Sequence, residues 1–75
     1  MVDVIILVKV EAKQSGPAYE HIKKIEQIKH VHIVTGPYDI IAYAEIPERS
    51  KFRRLVDSIH EAPGVERTET CMAIE

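Results

Sequence analysis

The 75-residue sequence predicts an α+β fold, a ferredoxin-like βαββαβ sandwich with a four-stranded antiparallel sheet and two helices on one face. Three observations carry this. Val2, Val4, Ile6, Val8 and Val10 repeat at period two, as in a strand. Phe52, Leu55, Val56 and Ile59 repeat at i, i+3, i+4 and i+7, as on the buried stripe of a helix. Turn and stop signals at Gly16-Pro17, Gly36-Pro37, Pro47 and Pro63-Gly64 then divide the chain into strand, helix, two strands, helix and strand.

The opposite face of the first strand reads Asp3, Ile5, Leu7 and Lys9, apolar at its centre as well. A strand at the rim of a half-solvated sheet would alternate cleanly. The first strand is therefore expected in the middle of the sheet, in the order 4-1-3-2, with a partner subunit as the simplest cover for its second face. Ser15-Gly16-Pro17 opens the first helix, whose stripe runs through Ala18, Ile22, Ile25 and on to Ile28 or Lys29. The second strand is expected over 30–35 and the third over 39–46, where Pro47 ends it. Ser50 is placed to cap the second helix, and Pro63-Gly64 to end it. The fourth strand is expected over 65–74. Residues 1–75 form one domain.

Composition narrows the function classes. A chain this short buries only about 60% of its unfolded surface. Cys71 is its single cysteine, so no disulfide framework exists, and small scaffolds without staples often lean on self-association. The net charge is −2 and the Lys and Arg residues read as scattered, which argues against nucleic acid as the main partner. The run 2–8 carries Asp3 and no basic flank, so it is not a secretory leader, and it is too short to span a bilayer. A cytoplasmic location with no membrane partner is expected.

His30 and His32 share a strand face and would supply half a zinc site, but no third ligand stands at a metal-binding spacing. Asp57 and His60 read as a helix-surface pair. Cys71 has no nearby base and reads as a small packed residue. No metal, cofactor or catalytic residue is expected. Asp39 is different, because it follows a turn and precedes an apolar strand. Its carboxylate either caps the hairpin by bonding turn amides, or serves a ligand, as a direct contact or as a brace that shapes the turn so that its N–H groups face one, and the sequence divides these alternatives evenly. Thr68 and Thr70 alternate with Arg67 and Glu69, so their hydroxyls share one face.

The segments Val34-Thr35-Gly36-Pro37-Tyr38-Asp39-Ile40-Ile41 and Pro63-Gly64-Val65-Glu66-Arg67-Thr68-Glu69-Thr70 together resemble the effector domain of Lrp/AsnC (feast/famine) regulators, also called RAM, for regulation of amino-acid metabolism. The resemblance runs from Val2 to Ile74. It implies a domain that dimerises through its sheet and assembles into rings, here an octamer or decamer, with an amino-acid effector held between dimers. The positions that match the family's ligand contacts are Gly36, Pro37, Tyr38 and Asp39 at the turn, and Thr68, Thr70 and Met72 on the last strand. Turn amides would hold an α-carboxylate, and Met72 would offer an adaptable apolar wall.

Family members of full length carry a winged helix-turn-helix before this domain, whereas here Met1 directly precedes the first strand. The chain is thus similar to the stand-alone type. Direct DNA binding is not expected, and co-assembly with a full-length Lrp/AsnC regulator is the route left to transcription. Two other functions share the topology. A dimeric α/β-barrel enzyme would need a polar-lined cavity within the protomer, and the solid Val/Ile face opposes one. An ACT-like regulatory domain would also bind amino acids, but belongs to larger enzymes.

Overall fold

The structure is a computed structural model that describes residues 1–75. Its elements are β1 (Val2–Val10), α1 (Ser15–Ile22), β2 (Ile28–Ile33), β3 (Ile40–Ile46), a 3₁₀ turn (Arg49–Lys51), α2 (Phe52–His60) and β4 (Val65–Met72). The strands form one sheet in the order β2-β3-β1-β4, and each neighbouring pair is antiparallel. The ferredoxin-like topology is as expected, with the doubly apolar β1 in the interior. No helix is long and apolar enough to cross a membrane.

Period two on the strands and period 3.6 on the helices converge on a single core. Val4, Ile6, Val8 and Val10 of β1 lie beside Ile40, Ala42, Ala44 and Ile46 of β3. Ala18 and Ile22 of α1, Leu55 and Ile59 of α2, and Ala62 complete the thirteen buried residues, none of them polar. The other sheet face has no cover within the chain. Across it run His30, Tyr43, Ile5 and Cys71 in one row, and His32, Ile41, Leu7 and Glu69 in the next. Ile5, Leu7 and Ile41 are half-buried there only by their neighbours in the sheet.

Several boundaries differ from expectation. The helical stripe read through Ile25 to Ile28 stops at Ile22. Beyond it the chain makes successive i→i+3 bonds, with the Ile25 amide donating to Ile22 (3.0 Å) and the Ile28 amide to Ile25 (3.0 Å). A spacing of three serves such turns as well as a helix; Ile25 packs on the core from the turn, and Ile28 opens β2. Ser50 does not cap α2. Its hydroxyl donates to Glu48 Oε1 (2.8 Å) inside the 3₁₀ turn, and Lys51 stands at the helix start without a side-chain cap. The strand 3 boundary moves from Asp39 to Ile40, and β4 ends at Met72 rather than Ile74.

Gly64 sets the entry to β4. Its φ is +73°, a left-handed conformation, and its carbonyl accepts the Glu11 amide at 2.8 Å. A Cβ here would come 2.5 Å from Gln14 Cβ, which is too close. At Gly16 in α1 an added Cβ meets nothing within 4 Å. Gly64→Ala should therefore lower the unfolding free energy by about 1–2 kcal/mol from backbone strain alone, and by more from the clash. Gly16→Ala should leave it unchanged or raise it by up to about 1 kcal/mol. Urea denaturation of both variants checks the pair.

Candidate functional site

The connection between β2 and β3 spans residues 34–39. The Val34 amide closes it by donating to the Asp39 carbonyl (2.9 Å), and Gly36 takes a φ of +130° that side-chain-bearing residues rarely adopt. The amides of Thr35, Gly36 and Tyr38 donate to no acceptor in the chain, and Pro37 has none to donate. Three N–H groups are thus presented at one end of the sheet.

Asp39 anchors this turn to the neighbouring strand. Its amide donates to Val8 O (2.9 Å), and its Oδ2 accepts the Val10 amide at 2.9 Å. β1 extends past the end of β3, which begins at Ile40, so the Val10 N–H has no backbone partner on that side. The carboxylate supplies the missing rung. Lys9 Nζ lies 3.6 Å from the same oxygen. Of the alternatives for Asp39, the cap that bonds the turn's own amides does not form; the side chain instead braces the turn by accepting the Val10 amide of β1.

Tyr38 reaches over the solvent face of the sheet to β4. The Arg67 guanidinium lies 5.7 Å from its ring centroid, within cation–π range. The Glu69 carboxylate beside its hydroxyl, followed by desolvation, raises the phenol's pKa above its ordinary value; Arg67 pulls the other way. Thr68, Thr70 and Met72 lie on the opposite, helix-facing side of β4, beside Val8, Ile6 and Val4 respectively. Thr68 and Met72 are therefore about 13 Å apart along the strand. Within one protomer the turn residues and the last-strand residues occupy different faces.

His60 at the end of α2 places Nε2 3.1 Å from Thr68 Oγ1, so the nearer threonine is already engaged. Asp57 pairs instead with Arg53, at 3.9 Å, and no Asp57–His60 contact forms. Cys71 is exposed on the solvent face and not packed as expected, because the sheet has no cover there. His30 and His32 do share that face; His32 meets Tyr43 edge-on at 6.4 Å between ring centroids, and no metal-holding cluster forms. Sequence reasoning missed Lys9, Arg67, Glu69 and His60. The period-two alternation around Thr68 had already put Arg67 and Glu69 on one face, which was the available signal.

Two open hollows mark the surface. One, about 510 Å³, lies on the solvent face at the end away from the turn, against Asp3, Ile5, Lys29, His30, Tyr43 and Glu45. The other, about 430 Å³, runs along the outside of α2 and is lined only by polar side chains. Neither contains a residue of the expected ligand set.

The family model described as "Lrp/AsnC ligand binding domain" matches residues 3–75. An uncharacterised HTH-type transcriptional regulator of Pyrococcus furiosus is 35% identical over 71 residues, covering 95% of this chain and 48% of its own. The leucine-responsive regulatory protein of Escherichia coli K12 is 31% identical over 55 residues, covering 72% of this chain and 34% of its own. The chain thus spans about half the length, or less, of these curated relatives. The crystal structure of TTHA0845 from Thermus thermophilus superposes with a TM-score of 0.94 at 29% identity, covering 100% of this chain and 95% of that one.

Two outcomes test the geometry of the turn. Asp39→Ala leaves the Val10 N–H without a partner and should destabilise the fold by about 1–3 kcal/mol, with faster hydrogen exchange at Val10; Asp39→Asn keeps an acceptor and should recover most of the loss. For Tyr38, the raised pKa means that the Glu69 contact stabilises fully below the ordinary phenol value of 10.0 and is lost as pH rises through the raised one. Glu69→Gln should shift the Tyr38 titration back toward lower pH, read by ultraviolet difference spectroscopy against Tyr19 and Tyr43.

Proposed function

The chain belongs to the Lrp/AsnC ligand-binding domain family, and from that premise we propose that it is a non-catalytic amino-acid-sensing module that acts on transcription through assembly. The observation that carries this is the braced turn. Asp39 fixes it, and the amides of Thr35, Gly36 and Tyr38 have no acceptor within the chain. Such amides suit an α-carboxylate, while the second oxygen of Asp39 remains available to an α-ammonium. The Escherichia coli relative is named leucine-responsive, which supports an amino acid as the effector class. The core contains no buried polar side chain, which favours packing over a catalytic cavity inside the protomer.

Self-association follows from the same geometry. Ile5, Leu7 and Ile41 form an apolar strip on a face that the two helices leave bare. A second copy laid on this face makes a dimer. Ile33 and Val34, 51% and 37% exposed beside the turn, then serve contacts between dimers in an octameric or decameric ring. Because the turn and the row Thr68, Thr70 and Met72 lie on different faces of one protomer, the effector site draws on more than one copy. A full-length Lrp/AsnC regulator is a candidate partner in mixed assemblies.

A thermal-shift screen of the standard amino acids tests sensing. The matching effector at a hundred times its dissociation constant should add about 2.7 kcal/mol; no shift with any of them would sink the reading. Light scattering tests assembly. Leu7→Lys should reduce the mass to the protomer's, and a monomeric wild type at micromolar concentration would contradict the dimer.

A further inference from the structure

Arg49, Lys51, Arg53 and Arg54 place four of the chain's ten Lys and Arg residues within one six-residue stretch, so the cations are not scattered as expected. All four are exposed, on the 3₁₀ turn and the first turn of α2. Lys51, Arg53 and Arg54 border the polar hollow of about 430 Å³ from one side, and Asp57 and Glu61, with Ser50 and Ser58, complete its lining. Of the four, only Arg53 has a carboxylate partner, Asp57 at 3.9 Å, and both side chains are mostly exposed. Arg49, Lys51 and Arg54 have no ion pair in the chain.

This placement opposes the stability of α2. The unpaired amides of a helix's first turn carry partial positive charge, which favours acidic residues there and disfavours cations. The first turn of α2 has no acidic residue and no side-chain cap. Apart from the exposed Arg53–Asp57 pair, positive charge is therefore concentrated where the fold gains nothing from it, in a chain whose net charge is −2. Local rules broken without an intramolecular gain are characteristic of surfaces that serve an external partner.

We infer that Arg49, Lys51, Arg53 and Arg54 form a contact surface for the phosphate backbone of duplex DNA, engaged without regard to base sequence. The charge requires an anionic partner, and guanidinium groups suit phosphate oxygens. The four side chains are spread along the surface and converge on no buried point, so a single free phosphate gains little. A polyanion gains from each contact, because every neutralised phosphate releases counterions. The hollow has no hydrophobic lining to hold an apolar group. The choice of DNA over an acidic protein rests on the proposed role in transcription. The surface adds affinity to a duplex that is read elsewhere.

Fluorescence anisotropy of the whole chain against two short duplexes of unrelated sequence tests this. Both should bind alike, and affinity should fall roughly 40- to 150-fold between about 50 and 200 mM salt, as expected for three to four phosphate contacts. Replacing all four cations with Gln should weaken binding at least about tenfold and flatten the salt dependence, without lowering the melting temperature. Should that variant misfold, Arg49→Gln/Lys51→Gln and Arg53→Gln/Arg54→Gln are each expected to give a part of the loss. Lys23→Gln/Lys24→Gln, just beyond α1, should leave binding unchanged. Three results would overturn the inference: no complex at the lower salt, unchanged affinity in folded cation-free variants, or binding to polyglutamate or inorganic phosphate as tight as to the duplex. The amino-acid screen reads a different surface, so either proposal can fail alone.

Discussion

Val4, Ile6, Val8 and Val10 on β1, with Ile40, Ala42, Ala44 and Ile46 on β3, form one apolar surface, and both helices depend on it. α1 has eight residues and α2 has nine. Helices of that length do not persist in water alone; they hold because Ala18, Ile22, Leu55 and Ile59 have somewhere to go. Two short helices can cover one side of a four-stranded sheet and no more. The bare side of β1, with Ile5 and Leu7, is thus the direct result of a small chain building a sheet with two apolar faces.

The same economy shapes the end of the sheet. β1 runs beyond β3, which leaves the Val10 amide without a strand partner, and Asp39 answers with its carboxylate. One side chain thereby ends a strand, closes a ladder and holds a turn in position. Through Tyr38 the turn also touches Arg67 and Glu69, two strands away from its own hairpin. Displacement of the turn would therefore be felt at Val10 on β1 and at β4 together. That gives the turn a mechanical connection to the sheet face on which assembly is proposed.

Element order, strand order and the central position of β1 were legible in the sequence, because each rests on periodicity over several residues. Single-residue roles were less so. Ile25 and Ile28 fit a helix and a string of tight turns equally, since both have neighbours three apart. Ser50 fits a cap by residue type, yet its hydroxyl found Glu48 first. Asp39 was singled out correctly as unusual, but its partner lies on β1, where no local pattern points. The division of Tyr38 from Thr68, Thr70 and Met72 across two faces needed strand register, which the sequence does not state. The cations of α2 were visible and missed, because a net charge averages over the very clustering that matters.

The pairing of β1 with β4 joins Val4 to Met72, and the Ala73 amide donates to the Asp3 carbonyl at 2.9 Å. The two ends of the domain therefore leave the sheet side by side. During synthesis β1, the first strand made, must wait for β4, the last, before this side of the sheet can pair, and contacts so remote in sequence slow folding. Once closed, the domain has its two ends held together along the length of this strand pair. It can be inserted into another chain, or cut open at a surface turn and rejoined through its ends, with little stretching of the connections.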